Sequence, residues 1–183
     1  MFKEALTQII QKLEDAKKGG LLRGYGLIGG LALAAGGVTR ATEDIDFAVA
    51  AGSSDMPKLA LALGGQYRPG GGDDPLLGVI NTAVAAGAQT IPVQLILLPQ
   101  RWNEVLLRQV SVVQVYGCSV PVVSWQALVL LKLYAGGPQD LVDAQDLWAV
   151  RQPEAQAVRE LESLAGSLGL SSEFKAFIQR LTS

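Results

Sequence analysis

From Leu22 to Val49 the sequence changes character three times. An apolar run breaks at Gly29-Gly30, an alanine-rich segment leads to Gly36-Gly37, and Asp44-Ile45-Asp46-Phe47-Ala48-Val49 then alternates in polarity. Alternation with period two marks a half-buried strand. The pattern predicts a strand over 22–28, a short helix over 31–35 and a second strand over 44–49, with the glycine pair at the first junction. Glycine there lets backbone N–H groups and a helix N-terminus approach a phosphate. Residues two apart on a strand share a face, so Asp44 and Asp46 are expected side by side, ~6.5–7 Å apart. That is close enough for both to reach one cation. Glu43 falls on the opposite parity, as a solvated acid.

The same stretch contains Gly24-x-Gly26-x-x-Gly29, with Asp44 about where a ribose-binding acid would stand in a dinucleotide fingerprint. That fingerprint needs its glycines after a strand, at a helix start. Here Gly24 and Gly26 fall inside the expected strand, which leaves them as incidental glycines and gives the information to Gly29, Gly30, Asp44 and Asp46.

Composition narrows the chemistry. The 183 residues contain no histidine and a single cysteine, Cys118. Histidine-based triads, the usual zinc sites and internal disulfides are therefore excluded. A metal, if used, is a hard ion on carboxylates, magnesium or manganese. Net charge is −2, so no global basic surface points to nucleic acid, and no DNA-binding motif is present. Apolar residues make up 49%, yet no run reaches the ~18 residues a membrane span needs. With no basic-apolar leader after Met1, a cytoplasmic protein is expected.

Elsewhere, apolar residues at helical spacing predict a first helix over 3–17, stopped by Gly19-Gly20. Ser53 or Ser54 is expected to cap a helix to Leu63. The run from Gly64 to Pro75 reads as a glycine-rich loop. Strands are expected over 76–84 and 91–98 as a hairpin, then 110–116 and 120–123, with a helix over 102–108 between the pairs. Ser124 caps a helix to Tyr134, and helices fill 140–150, 153–164 and 172–181. The fold class is α/β (α+β), a mixed sheet flanked by helices. Residues 1–123 form the core and 124–183 a helical portion packed on it as one unit. Trp102, Trp125 and Trp148 are expected in core or interface positions.

"IGGLALAAGGVTRATEDIDFAV" resembles the signature of the nucleotidyltransferase superfamily, a hydrophobic-Gly-Gly followed by Asp-hydrophobic-Asp. Within it the chain is most similar to the bacterial branch of AbiEii-type toxins and minimal nucleotidyltransferases. Ala32, Gly37, Arg40, Thr42, Asp44 and Asp46 match that pattern. The likeness continues from Val120 to Leu147, where Lys132, Asp140 and Asp143 match a helix lysine and a following Asp-x-x-Asp. The resemblance implies transfer of a nucleotidyl group from an NTP to an RNA, protein or small-molecule hydroxyl. Gly29 and Gly30 would hold the triphosphate, with Arg40, Thr42, Lys132 and Asp140 as further nucleotide-binding residues. Asp44 and Asp46 would carry Mg²⁺ or Mn²⁺, with two ions in the family scheme.

The family uses a third carboxylate on a neighbouring strand, and the matching residue here is Gln94 in "IPVQLILLP". An amide offers one carbonyl oxygen to a metal but takes no proton at neutral pH. Two outcomes stay open. Asp73 or Asp74 supplies the missing acid, or the site is degenerate and the protein serves as a nucleotide-binding or toxin–antitoxin-type partner, bound to a small antitoxin-like protein.

Overall fold

A computed structural model describes residues 1–72 and 74–182. The chain opens with α1 (Phe2–Lys18), whose buried stripe is Ala5, Leu6, Ile9, Leu13 and Ala16. Lys17 and Lys18 sit in its last turn, and Gly20 takes φ +76° just beyond it. Then follow β1 (Gly24–Ile28), α2 (Gly29–Ala35), β2 (Ile45–Ala50), α3 (Met56–Leu63), β3 (Gln66–Pro69), β4 (Gly78–Ala86) and β5 (Gln89–Leu97). A 3-10 turn over Gln100–Trp102 leads into α4 (Asn103–Arg108), β6 (Val110–Val115) and β7 (Cys118–Val123). The chain continues through α5 (Trp125–Ala135), α6 (Pro138–Arg151), α7 (Ala155–Leu168) and α8 (Ser171–Thr182).

The strands form one mixed sheet in the order β3-β4-β5-β2-β1-β7-β6. β1 runs antiparallel to β2 and parallel to β7, and β2 is parallel to β5. The expected hairpin is present as β4 and β5, antiparallel from Gly78↔Leu97 to Ala86↔Gln89. Tyr25, Leu27, Ile45, Phe47 and Val49 are buried on one face of the sheet, where Tyr25 also donates a hydrogen bond to Glu14 of α1 at 2.7 Å. The opposite face carries Gly24, Gly26, Ile28, Asp46, Ala48 and Ala50, paired in register across β1 and β2. Trp148 packs against Trp125, Phe174 and Phe177, joining α5, α6 and α8. No helix among the described residues is long and apolar enough to cross a membrane.

Three expectations change. Gly24 and Gly26 lie within β1, but they are not incidental: a Cβ on Gly24 would overlap Leu107 of α4, and one on Gly26 would come within 2.7 Å of Val123 Cγ1. The missing side chain of Gly24 lets α4 lie against the sheet, and that of Gly26 makes room for Val123 of β7 and Val110 of β6. The glycine-rich stretch contains a strand, β3, which pairs with β4 through Gln66↔Asn81 to Pro69↔Gly78. At α3 the N-cap is Asp55 with no side-chain capping bond, so neither Ser53 nor Ser54 caps it, and Pro57 presets its first turn. Ser124 caps α5 as expected, accepting from the Ala127 N–H at 3.1 Å.

Candidate active site

The site begins where β1 turns into α2. Gly29 holds φ +67°, a conformation costly for any residue with a side chain. Its absent Cβ is also where the Asp46 carboxylate lies: a Cβ there would overlap Asp46 Oδ2 and stand 2.9 Å from Cγ. Gly30 is restricted by its neighbour Thr42, whose Cβ would be 2.7 Å from a Cβ on Gly30. The glycine pair is thus packed directly on the acidic segment. Thr42 in turn donates from Oγ1 to Asp44 Oδ1 at 2.8 Å and so orients that carboxylate.

Asp46 stands on β2 between Ile28 of β1 and Gln94 of β5. Asp44 precedes the strand rather than belonging to it. The two carboxylates still meet, because both line one cleft of about 380 Å³ together with Gly29, Gln94, Lys132 and Asp140. Glu43 is exposed, as expected, because it lies before β2 begins. Burial, and then the negative charge of Asp44, push the Asp46 carboxyl up to about 6, against the opposing pull of Lys132 and Arg40. The rest of the cleft is apolar, with Ile96 and Leu98 from the β5 segment and Leu128, Leu131 and Tyr134 from α5.

The far wall is the α5–α6 elbow. Gly136 takes φ +68° to end α5, and Gly137 and Pro138 start α6. The elbow brings Lys132 Nζ to 2.8 Å from Asp140 Oδ1 and 2.7 Å from Asp143 Oδ2. Arg40 also pairs with Asp143, and Gln139 Nε2 donates to it at 3.1 Å. Asp143 is only 1% exposed. Burial opposes its ionisation, but the hydrogen bonds from Lys132 and Gln139 and the charges of Lys132 and Arg40 outweigh that and lower its pKa. Lys132 is therefore neither a free cation nor a surface lysine; it is held by two acids.

Of the residues singled out in the sequence, Gly29, Asp44, Asp46, Gln94, Lys132 and Asp140 share the cleft. Gly30, Arg40 and Thr42 brace it from behind. Asp143, matched only as part of a motif, is the hub joining Arg40 to Lys132. Its three-residue spacing from Asp140 was a signal for this, because it puts both acids on one helical face. Asp74 is exposed, and its Oδ1 accepts from the Leu76 N–H at 2.9 Å within its own loop. Asp73 lies outside the described residues. A larger cavity of about 520 Å³, lined by Arg23, Gly52, Ser53 and Asn103, opens beside the other end of β1 and β2 and shares none of the Gly29–Asp46 constellation.

The donor set can be compared with the hard cation that the sequence resemblance implies. Two carboxylates facing one cleft, the Asp46 carboxyl pushed up first by burial and then by the charge of Asp44, would be relieved by a divalent ion. Asp44 and Asp46 fit one such ion, with the Gln94 carboxamide adjacent. Among the described residues no group of three acids comes together, so the second, carboxylate-rich ion position that the resemblance implies has no match among them.

No protein-family model matches the chain, and no curated protein sequence does. Solved structures do match. The antibiotic-resistance factor ANT(2'')-Ia in solution is 15% identical, with a TM-score of 0.50 over 97% of this chain and 98% of that one. An antigenic nucleotidyltransferase-like protein from Paracoccidioides brasiliensis is 16% identical, with a TM-score of 0.53 over 94% of this chain and 93% of that one. The fold is therefore that of nucleotidyltransferases.

Proposed function

We propose that the protein binds a nucleoside triphosphate with Mg²⁺ or Mn²⁺ and transfers its nucleotidyl group to a hydroxyl. The observation that carries this reading is the convergence of Asp44 and Asp46 on one cleft, with Gly29 packed against the Asp46 carboxylate. A divalent ion bound there would supply charge neutralisation for the phosphates. Gly29 leaves room for the Asp46 carboxylate at the start of α2, beside which the phosphate chain would lie, and Thr42 fixes Asp44. Lys132, tied to Asp140 and Asp143, contributes positive potential without being free to wander. In the transfer, the acceptor oxygen forms a bond to the α-phosphorus as the bond to the bridging oxygen breaks. Pyrophosphate leaves with that electron pair, and the acceptor proton goes to water, since Gln94 cannot take it.

Incubation with labelled NTP, Mg²⁺ and candidate acceptors tests the reading. Label should be transferred by the native protein and not by Asp46→Asn. Equal transfer by both would refute it.

The second reading is a nucleotide-binding protein without turnover, acting through a protein partner. It is favoured by Gln94 facing Asp46 in register, where an acid would serve catalysis. Stoichiometric Mg–ATP binding with no transfer to any acceptor would select it.

A further inference from the structure

One half of the sheet's Asp46-bearing face is open. On β5, β4 and β3 the residues on that side are exposed from Thr90, Pro92 and Gln94 across Asn81, Ala83 and Ala85 to Gln66 and Arg68. Register places four of the side chains in one line. Asp46 is opposite Gln94, Gln94 opposite Asn81, and Asn81 opposite Gln66. With strands ~4.8 Å apart, the line runs ~14 Å from the carboxylate to the edge of the sheet. None of the three carboxamides makes a side-chain hydrogen bond among the described residues, and Arg68 makes no ion pair there. Asparagine is disfavoured within a strand, yet Asn81 stands in the middle of β4.

From this row we infer that the acceptor is a neutral, hydroxyl-rich molecule of the oligosaccharide class, laid across Gln94, Asn81 and Gln66 with its reacting hydroxyl at Asp46. The inference rests on the nucleotidyl-transfer reading and adds to it the substrate class and two specificity residues, Asn81 and Gln66. A carboxamide presents a donor and an acceptor side by side, which suits vicinal hydroxyls. A nucleic-acid acceptor calls for several cations along its track and aromatic rings for its bases. Among the described residues, the open strand positions of this face offer a single cation, Arg68, and no ring, because Tyr67 pairs with Ile80 on the other side. The apolar arm of the cleft, along Ile96, Leu98 and Leu131, leaves a separate place for the nucleobase.

The test follows side-chain NH₂ resonances of ¹⁵N-labelled protein, assigned with Gln66→Leu, Asn81→Leu and Gln94→Leu. Titrations use maltotriose, or a ten-nucleotide RNA, in the presence of Mg and a non-hydrolysable ATP analogue. Calorimetry follows binding of the analogue itself. The expected result is movement of the Asn81 and Gln94 signals with the trisaccharide and not with RNA. Gln66→Leu/Asn81→Leu should weaken trisaccharide binding about tenfold while analogue binding is unchanged. Analogue binding with no carboxamide shift on adding the trisaccharide, or with shifts produced by RNA alone, would overturn the inference and leave nucleotide binding standing. Absence of analogue binding would defeat the nucleotide reading and the inference with it.

Discussion

The Asp46 carboxylate occupies the space that a side chain at position 29 would need. This contact makes the glycine a requirement of the acid, independently of any phosphate. Gly29→Ala therefore has two costs, a positive φ and a collision with Asp46. Each such strained position costs on the order of 1–3 kcal/mol. The variant should melt at a lower temperature and bind Mg–ATP more weakly, measured by thermal unfolding and calorimetry. Native values for both would show that Asp46 moves aside freely.

Asp46 should make stability fall as pH rises. Its folded carboxyl is pushed up to about 6, against the ordinary 3.8 of an aspartate in the unfolded chain. Between those values the folded state binds more protons, so unfolding free energy declines with pH and levels off above the folded value. The ionised carboxylate then costs on the order of 2–3 kcal/mol in the metal-free protein. Asp46→Asn should accordingly be more stable than the native protein at pH 8, and the gain should vanish below about pH 4. Urea unfolding at both pH values measures this.

Asp143 acts in the opposite sense. Its lowered pKa means stability that is present above the ordinary carboxylate range and lost as pH falls through the depressed value. Removing this buried acid also strips Arg40 of its partner and leaves Lys132 with Asp140 alone. Asp143→Ala should destabilise the fold by about 3 kcal/mol, and urea unfolding at neutral pH gives the value. Lys132→Met should raise the Asp46 pKa further, because one of the two cations lowering it is gone. The carboxyl ¹³C titration of Asp46 reads this directly.

Much of this was legible in the sequence, for local reasons. The acid–apolar alternation, the glycine pair and the Ser124 cap are short-range signals, and the structure carries each of them in β2, the β1–α2 junction and α5. The alignment of Gln94 with Asp46 followed from the family pattern. What escaped depends on long-range pairing. β3 hides in a glycine-rich stretch because it is an edge strand formed by pairing with β4. The packing role of Gly24 is set by Leu107, far along the chain. Arg40 and Asp143, 103 residues apart, meet only once α6 has folded back onto the site.

In the proposed reading Gln94 would set the limit on metal binding. Gln94→Asp would add a carboxylate opposite Asp46 in register. It should tighten Mn²⁺ binding about tenfold or more, as one charged ligand replaces a neutral one, and increase transfer. Mn²⁺ titration by electron paramagnetic resonance measures the first effect without relying on activity.

The most direct measurement of the central claim is calorimetric titration of Mg–ATP into the native protein and into Asp46→Asn at pH 8. The account predicts binding to the native protein and none to the variant, although the variant is the more stable fold. Equal binding by both proteins would contradict the assignment of the nucleotide to the Gly29–Asp46 cleft.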